Sequence, residues 1–380
     1  MILCLVAATQ VLGTAWILRQ FGKRWSLRAR SLMVCGAATS LALLVFAFLL
    51  RFMSIARHFP LWLPSWGRGF IISWALVSAS WIAALVLVQL LSRTVLRSDR
   101  PQSASRRLFL QSAQTALFGA PPLLVGYGTF IQRTDIQLRE ARIVAPDLPF
   151  DLEGLRIVQL TDIHRSPFLS RQQLDRAVQI ANETRAHLAV VTGDLISNGR
   201  DPLDDCLDSL TRLRAEAGVF ACMGNHEIYA GAVHHTEREG ARRGIRFLRQ
   251  ASESLRFGKS SLNLAGVDYQ PFRQPYLQGA SRMIVPGAYN VLLSHNPDVF
   301  PVAAKQGFDL TISGHTHGGQ IRVEILRTDL NVARIFTPYV DGLYSNGDSS
   351  AFVSRGIGTI GMPTRFGAPP EVALLHLCRT

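Results

Sequence analysis

The sequence lacks paired cysteines. Its five cysteines among 380 residues lie at positions 4, 35, 206, 222 and 378, and no two of them form a Cys-X-X-Cys pair. This spacing argues against a disulfide framework and against a thiolate metal site. A metal ion in this chain would therefore depend on oxygen and imidazole ligands.

Acidic residues are almost missing from the first third of the chain. Residues 1–131 contain 13 Lys and Arg and one acid, Asp99, whereas residues 132–380 contain 27 Lys and Arg and 26 acids. The formal net charge of +13 therefore belongs to the first third. A basic chain can indicate nucleic-acid binding, but the excess here lies between hydrophobic segments. Since the remainder carries a net +1, which attracts a polyanion only weakly, we do not expect a nucleic-acid partner.

Four stretches without charge predict membrane-spanning helices, which need about 20 residues each. Loops 19–30 and 93–107 carry ten basic residues, against three in loop 51–68, so the positive-inside rule places the first two loops in the cytoplasm. This predicts a multi-pass protein of the inner or cell membrane, in contact with membrane lipids, whose remaining domain, from about residue 133, lies outside the cytoplasm. The four predicted helices are 1–18, 31–50, 69–92 and 108–132.

The segment from Ser105 to Leu110 resembles a twin-arginine export signal, because Arg106 and Arg107 precede an apolar stretch. A plain basic stop before a membrane helix accounts for the same residues equally well. Both alternatives direct the following domain outward.

From Leu152 onward, short apolar runs alternate with helical segments. Leu155–Thr161 predicts a buried strand, and Arg171–Thr184 has the apolar spacing of a helix. Such alternation, followed by a region rich in strands, is typical of an α/β domain with sheets inside and helices outside. We predict this domain at 152–380, joined by a tether at 133–151 to a transmembrane region at 1–132. Further strands are predicted at 187–192, 218–223, 262–267, 290–294, 310–313, 320–325, 351–354 and 371–377, and a further helix at 203–215.

Asp, Asn and His side chains follow five of these strands at the point where each strand ends. Sites in open α/β sheets form beyond the carboxyl ends of the strands, and oxygen and imidazole ligands without thiolate suit Mn, Fe, Zn or Co better than Ca or Mg. We therefore predict two divalent metal ions, bridged by the two oxygens of Asp194. One ion would be bound by Asp162, His164, Asp194 and His317, and the other by Asp194, Asn225, His295 and His315.

The five motifs are Asp162-Ile163-His164, Gly193-Asp194, Gly224-Asn225-His226-Glu227, Ser294-His295 and Gly314-His315-Thr316-His317. Their order resembles that of the calcineurin-like metallophosphoesterases over about residues 152–378. Residues 318–320, 353–356 and 363–370 look like the membrane-anchored or exported bacterial subgroup of that family. The resemblance implies a four-layer α/β/β/α sandwich, the ligand roles given above and a role for His226 on the leaving group. The chain departs from the family at residues 195–198, where many relatives carry a second acid.

The activity that this resemblance implies is hydrolysis of phosphate esters or pyrophosphates, with Asp194 and His226 as the catalytic residues. Arg355 and Arg365 are candidates to bind the substrate's phosphates through two hydrogen bonds each, and a surface or structural role is the alternative for both. An anchored domain favours a lipid-linked phosphate. UDP-2,3-diacylglucosamine is a specific candidate from the wider family, although the outward orientation argues against a nucleotide-linked precursor. The alternative from another class is a non-catalytic, metal-binding membrane receptor.

Overall fold

The computed structural model describes residues 2–21, 26–52, 59–94, 104–271, 276–325 and 328–379. The chain forms two compact units. One contains residues 1–129 and 361–364, and the other contains residues 130–360 and 365–380.

Helices dominate the first unit. The amide of Gln10 in the first helix donates to the carbonyl oxygen of Ala37 in the second at 3.3 Å, and it accepts from the indole of Trp74 in the third at 3.4 Å. A polar side chain thus joins three helices. The helices are α1 (Ile2–Phe21), α2 (Leu27–Phe52), α3 (Trp62–Thr94) and α4 (Ala104–Phe130).

Over the residues that the structure describes, no helix is both long enough and apolar enough to cross a bilayer. The predicted four-helix transmembrane region and the predicted multi-pass membrane localisation are therefore wrong. The prediction took absence of charge as evidence of an apolar segment. Gln10 in α1 and Gln111 and Gln114 in α4 lower the hydropathy of those two stretches without adding a charge.

The predicted position of the second domain outside the cytoplasm depended on those membrane helices, so it has no basis without them. Arg106 and Arg107 lie in the first turn of α4. Five of the basic loop residues lie outside the described residues, namely Lys23, Arg24, Arg57, Arg97 and Arg100.

The second unit is built on two six-stranded sheets. The strands are β1 (Gln137–Val144), β2 (Arg156–Leu160), β3 (Leu188–Thr192), β4 (Val219–Cys222), β5 (Ile245–Phe247), β6 (Ala251–Phe257), β7 (Ser260–Gly266), β8 (Tyr289–Leu293), β9 (Leu310–Ser313), β10 (Arg322–Ile325), β11 (Thr328–Asn331), β12 (Gly342–Asn346), β13 (Ser349–Val353) and β14 (Glu371–Cys378). One sheet has the order β1-β14-β2-β3-β4-β5 and the other β12-β13-β9-β8-β7-β6, while β10 and β11 form a separate hairpin. Neighbouring strands from β2 to β5 are parallel, as are β7, β8 and β9.

The layers of this unit follow the order helix, sheet, sheet, helix. One apolar cluster lies between the sheets and includes Val190 of β3 and Val291 of β8. A second cluster packs helices against the outer face of the first sheet, and a third packs the helix Phe300–Gln306 against the second sheet. All five residues of β3 are buried because both faces of this central strand are covered. The helices are α5 (Arg171–Glu183), α6 (Leu203–Leu210), α7 (Asn225–Tyr229), α8 (Val233–Arg242) and α9 (Phe300–Gln306).

Residues 137–144, which the sequence predicts to be part of a tether, form the edge strand β1 instead. This strand pairs in parallel with β14 over eight residues, from Gln137 with Glu371 to Val144 with Cys378. Charged side chains at Arg139, Glu140 and Arg142 hid the apolar pattern of a strand. Such charges are common on edge strands, where they discourage pairing with another chain.

Candidate metal centre

The five motifs converge at one edge of the two packed sheets. Asp162, Asp194 and Asn225 follow β2, β3 and β4 of the first sheet, and His295 and His315 follow β8 and β9 of the second. Because these strands are parallel within each sheet, their carboxyl ends bring the five side chains to the same place.

Asp162, His164 and His317 form the first group. The Nε2 atoms of His164 and His317 lie 3.1 Å apart, and Nε2 of His317 lies 3.3 Å from Oδ1 of Asp162. One ligand atom from each of the three residues falls within 4.8 Å of the others. All three side chains are buried. A buried carboxylate with two imidazoles at this spacing fits one divalent transition metal ion.

Asp194, His295 and His315 form the second group. Nε2 of His295 lies 3.0 Å from Oδ2 of Asp194 and 3.2 Å from Nδ1 of His315. The same Oδ2 lies 3.5 Å from Nε2 of His164, so Asp194 lies between the two groups. Its other oxygen, Oδ1, accepts a hydrogen bond from the backbone N–H of His226 at 2.9 Å.

Asn225 is the fourth residue predicted to bind the second ion. Its Oδ1 is buried and has no hydrogen-bond partner in the part of the chain that the structure describes. A buried carbonyl oxygen without a partner is rare and costly. A bound metal ion would satisfy it, and this unpartnered oxygen is the strongest sign that these residues fit a metal.

Main-chain carbonyls fix the orientation of two histidines. Nδ1 of His295 donates to the carbonyl oxygen of Thr192 at 2.7 Å, and Nδ1 of His226 donates to that of Ser197 at 2.7 Å. A carbonyl can only accept, so Nδ1 of each ring carries a proton and Nε2 is the nitrogen that is left to face the site. Contacts of this kind hold metal-binding imidazoles in a defined orientation.

The backbone at the site is strained. Five candidate ligands have left-handed φ angles, which side chains other than glycine rarely adopt. These angles are 49° at Asp162, 45° at His164, 56° at Asp194, 77° at His315 and 54° at His317. Strain of this kind persists only where the surrounding structure fixes it, and it concentrates at functional sites.

Glycine at position 314 allows the histidine loop to lie against Asp162. A Cβ on Gly314 would lie 2.2 Å from Oδ2 of Asp162 and 2.3 Å from Oγ1 of Thr161, closer than atoms can approach. The glycine that precedes His315 in the motif therefore lets the two strand ends meet.

Glu227 is a functional residue to which the sequence analysis gave no role. Its buried carboxylate accepts hydrogen bonds from the backbone N–H groups of Asp194 at 3.0 Å, Leu195 at 2.7 Å, Ile196 at 3.4 Å and Gly224 at 2.9 Å. It thus fixes the two loops that carry Asp194 and Asn225. Its place as the last residue of the Gly-Asn-His-Glu motif was the available signal.

Asp201 holds the loop at 195–198, where many calcineurin-like metallophosphoesterases carry a second acid that this chain lacks. Oδ2 of Asp201 accepts from the backbone N–H groups of Ser197 and Asn198 at 2.8 and 2.9 Å. Ser197 in turn contacts two histidines, through Oγ to Nδ1 of His164 at 3.0 Å and through its carbonyl oxygen to His226. The loop at 195–198 is therefore held by hydrogen bonds although it lacks that acid.

Two tyrosines that the sequence analysis did not identify flank the site. The ring of Tyr269 lies 5.4 Å from that of His315, and the ring of Tyr229 lies 5.9 Å from that of His226. Tyr229 is largely exposed. These aromatic side chains lie on the side of the site that carries His226 and the second group.

The two candidate substrate-binding arginines differ. Arg355 is partly buried, and its Nε donates to Oε2 of Glu371 at 2.6 Å. Arg365 is fully buried, and its guanidinium donates to main-chain carbonyl oxygens. Because no part of the Arg365 side chain is exposed, its contacts favour the structural role that the sequence left open over substrate binding. The role of Arg355 stays a prediction.

Burial and the carboxylates set the protonation of the site. Burial lowers the pKa of His164 and of His315 to about 3, so both rings are neutral and able to bind a metal. Although burial lowers the pKa of His295, the charge of Asp194 and the hydrogen bond to it raise the net value to about 10. Burial likewise raises the pKa of Asp194, but the charge of His295 offsets it and holds that pKa well below its ordinary value.

Comparison with known proteins agrees with this geometry. Residues 155–319 match the calcineurin-like phosphoesterase family. The chain is 29% identical over 289 residues to an uncharacterized metallophosphoesterase of Bacillus subtilis (strain 168), covering 73% of this chain and 98% of that protein. It is 28% identical over 284 residues to phosphodiesterase YaeI of Escherichia coli (strain K12), covering 72% and 99%. It is also 28% identical over 305 residues to the transmembrane protein with metallophosphoesterase domain of Danio rerio, covering 77% and 67%.

Gly314→Ala should weaken metal binding at least tenfold, because the new Cβ must displace Asp162 or the histidine loop. Isothermal titration of the metal-free chain with Mn²⁺ measures this. The matched control is Gly199→Ala, whose Cβ would lie 3.4 Å from its nearest neighbour. Unchanged affinity in Gly314→Ala would show that the contact with Asp162 does not matter.

Glu227→Gln should lower the free energy of unfolding by about 1–3 kcal/mol, because the amide nitrogen is a donor and would face backbone donors in a buried place. Urea denaturation of the metal-free chain measures the change. Glu237→Gln, at a partly exposed ion pair with Arg249, should change it by less than about 0.5 kcal/mol. Equal effects of the two substitutions would exclude a special role for Glu227.

Metal affinity should rise with pH from neutrality. His295 is protonated below its pKa of about 10 in the metal-free chain and must lose that proton to bind an ion. The apparent affinity for Mn²⁺ should therefore increase by up to about tenfold per pH unit between about pH 7 and pH 9. Proton release on metal addition in weak buffer gives a second measurement. An affinity that stays constant or falls over this range would contradict the protonation state inferred for His295.

Proposed function

We propose that this chain, which carries a calcineurin-like phosphoesterase domain and is a metal-dependent phosphoester hydrolase, cleaves phosphodiester or pyrophosphate bonds with two divalent metal ions bound side by side. The observation that carries the proposal is the position of Asp194. One of its oxygens lies 3.5 Å from His164 and 3.0 Å from His295, which belong to different ligand groups. A carboxylate in that position is suited to bridge two ions.

The residues divide into two ligand sets that share Asp194. When bound, a pair of such ions activates water and offsets the charge on the phosphoryl group. Mn, Fe, Zn and Co all suit the mixture of carboxylate, amide and imidazole ligands. Asp162, His164, Asp194 and His317 would hold one ion, and Asp194, Asn225, His295 and His315 the other.

His226 is suited to protonate the leaving group. Its ring lies 4.8 Å from that of His164, and one of its nitrogens is close to both His164 and Asp194. Nδ1 is occupied by the carbonyl oxygen of Ser197, so the other nitrogen is the one left to face a substrate. In its imidazolium form, His226 would donate the Nε2 proton to the leaving oxygen as the bond between that oxygen and phosphorus breaks. The ring is then neutral with its proton on Nδ1, and the attacking water gives up its own proton to solvent.

The name of one relative supports a particular substrate class. The name of the Escherichia coli relative, a phosphodiesterase, supports a diester as the substrate. A lipid-linked substrate was expected because membrane helices were predicted, and the described residues contain no such helix. The same finding weakens the non-catalytic membrane receptor, and the placement of His226 beside the ligands supports an enzyme instead.

Asp194→Ala should lose both metal ions and all activity, whereas His226→Ala should keep the ions and lose about 10²–10⁴-fold in kcat. The full chain is loaded with Mn²⁺, its metal content is measured by mass spectrometry, and turnover is measured with bis-p-nitrophenyl phosphate. His235→Ala, which removes an exposed histidine paired with Asp204, is the matched control and should behave as wild type.

Two results would count against the scheme. Full activity in Asp194→Ala would exclude a bridging role, and wild-type kcat in His226→Ala would exclude proton donation by this ring. A wild-type chain that binds both ions and turns over no phosphodiester would favour a binding protein.

A further inference from the structure

Arg365 is the largest fully buried side chain among the described residues, and it is charged. Among those residues, no carboxylate lies within ion-pairing distance of its guanidinium. A buried charge is costly unless hydrogen bonds compensate it. Burial accordingly lowers the pKa of Arg365, to about 10, which still leaves it protonated at neutral pH.

Main-chain carbonyl oxygens surround this guanidinium. Nε donates to Gly358 at 2.9 Å, and Nη2 donates to Arg355 at 2.8 Å. Nη1 donates to Ala368 at 3.1 Å and to His317 at 3.4 Å. Arginine thus holds the backbone through three separate nitrogens in one rigid plane, whereas the three donors of an ammonium group all lie on one atom.

The carbonyl oxygens of Arg355 and Gly358 belong to one segment, residues 355–358, which packs against Asp162. The backbone N–H of Gly358 donates to the carbonyl oxygen of Asp162 at 2.7 Å. A Cβ on Gly356 would lie 2.5 Å from Cβ of Asp162, so the two segments are in close contact. Through its hydrogen bonds to residues 355–358, Arg365 therefore holds in place the segment that packs against Asp162.

The remaining contacts reach His317. Nη2 of Arg365 lies 3.3 Å from Nδ1 of the His317 ring, while Nε2 of the same ring lies 3.3 Å from Oδ1 of Asp162. The ring is thus held between Arg365 on one side and Asp162 on the other. Arg365 joins the two residues whose strands come from different sheets, β2 and β9, and it does so without touching a substrate-accessible surface.

These contacts belong to one ligand set. Within the described structure, no hydrogen bond joins Arg365 to Asn225, His295 or His315. We infer that Arg365 is a positioning residue for the metal position formed by Asp162, His164, Asp194 and His317, and that it leaves the other position unaffected. This inference rests on the two-metal function proposed above.

The test compares metal retention after dialysis of the full chain loaded with Mn²⁺. The wild type should keep two ions per chain, and Arg365→Met should keep one, because outer contacts of this kind typically contribute about 10–100-fold to metal affinity. Arg365→Lys keeps the charge but loses the planar fork, and it should weaken one of the two positions by about tenfold. Arg249→Met, which removes an arginine paired with Glu237 and Asp268, should keep two ions.

Double variants identify the position that is lost. Arg365→Met combined with Asn225→Ala should bind no metal, whereas its combination with His164→Ala should bind as much as His164→Ala alone. A residue that only stabilises the fold would lower the melting temperature of the metal-free chain and weaken both positions equally. Circular dichroism of each metal-free variant records that effect separately.

The outcomes separate the two proposals. If the wild type retains fewer than two ions, the two-metal function fails. If the wild type retains two and Arg365→Met also retains two, or loses both equally, the positioning role is overturned while the two-metal function stands. Should Arg365→Met fail to fold, Arg365→Lys gives the answer, since unchanged affinity at both positions in that variant would also overturn the role.

Discussion

The carboxylate of Asp194 is the interaction on which the rest of the site depends. It is buried, it lies between His164 and His295, and its charge keeps His295 protonated in the metal-free chain. A buried anion with protein partners on both sides needs a fixed backbone, because a small shift would leave a charge uncompensated. Glu227 supplies that fixed backbone by accepting hydrogen bonds from the loop that carries Asp194. The two buried acids therefore have different functions. Asp194 contacts the other candidate ligands, and Glu227 accepts hydrogen bonds from the main chain.

The strained backbone explains why the ligands lie where two sheets meet. Each candidate ligand follows a buried strand, so the residues before it are fixed by sheet pairing and by apolar packing on both faces. A rigid strand end can hold a left-handed residue, which in a free loop would relax to another conformation. Gly314 then allows a strand end of the second sheet to reach Asp162 in the first. Strain at the ligands thus depends on the stability of the sheets.

Sequence patterns predicted the parts of the molecule that depend on local chemistry. Apolar runs predicted β2, β3 and β9, and the motif order predicted residues that the structure brings together, such as Asp162 and His317. The sequence patterns failed where the conformation or burial of a residue depends on distant parts of the chain. The charges of β1 hid a strand whose partner, β14, lies more than two hundred residues away. In the first helices, absence of charge was taken as evidence of apolar character. Nothing in the local sequence distinguishes a buried arginine such as Arg365 from one that binds phosphate.

Glu227 and Arg365 together suggest how such a site is held in shape. Glu227 is a buried anion whose partners are backbone N–H groups, and Arg365 is a buried cation whose partners are backbone carbonyl oxygens. Neither depends on an opposite charge for its hydrogen bonds, because main-chain dipoles compensate it. An ion pair between side chains would fix only those side chains. A charge that bonds to the main chain fixes the backbone itself, and the backbone is where the left-handed conformations of Asp194 and His317 must be held.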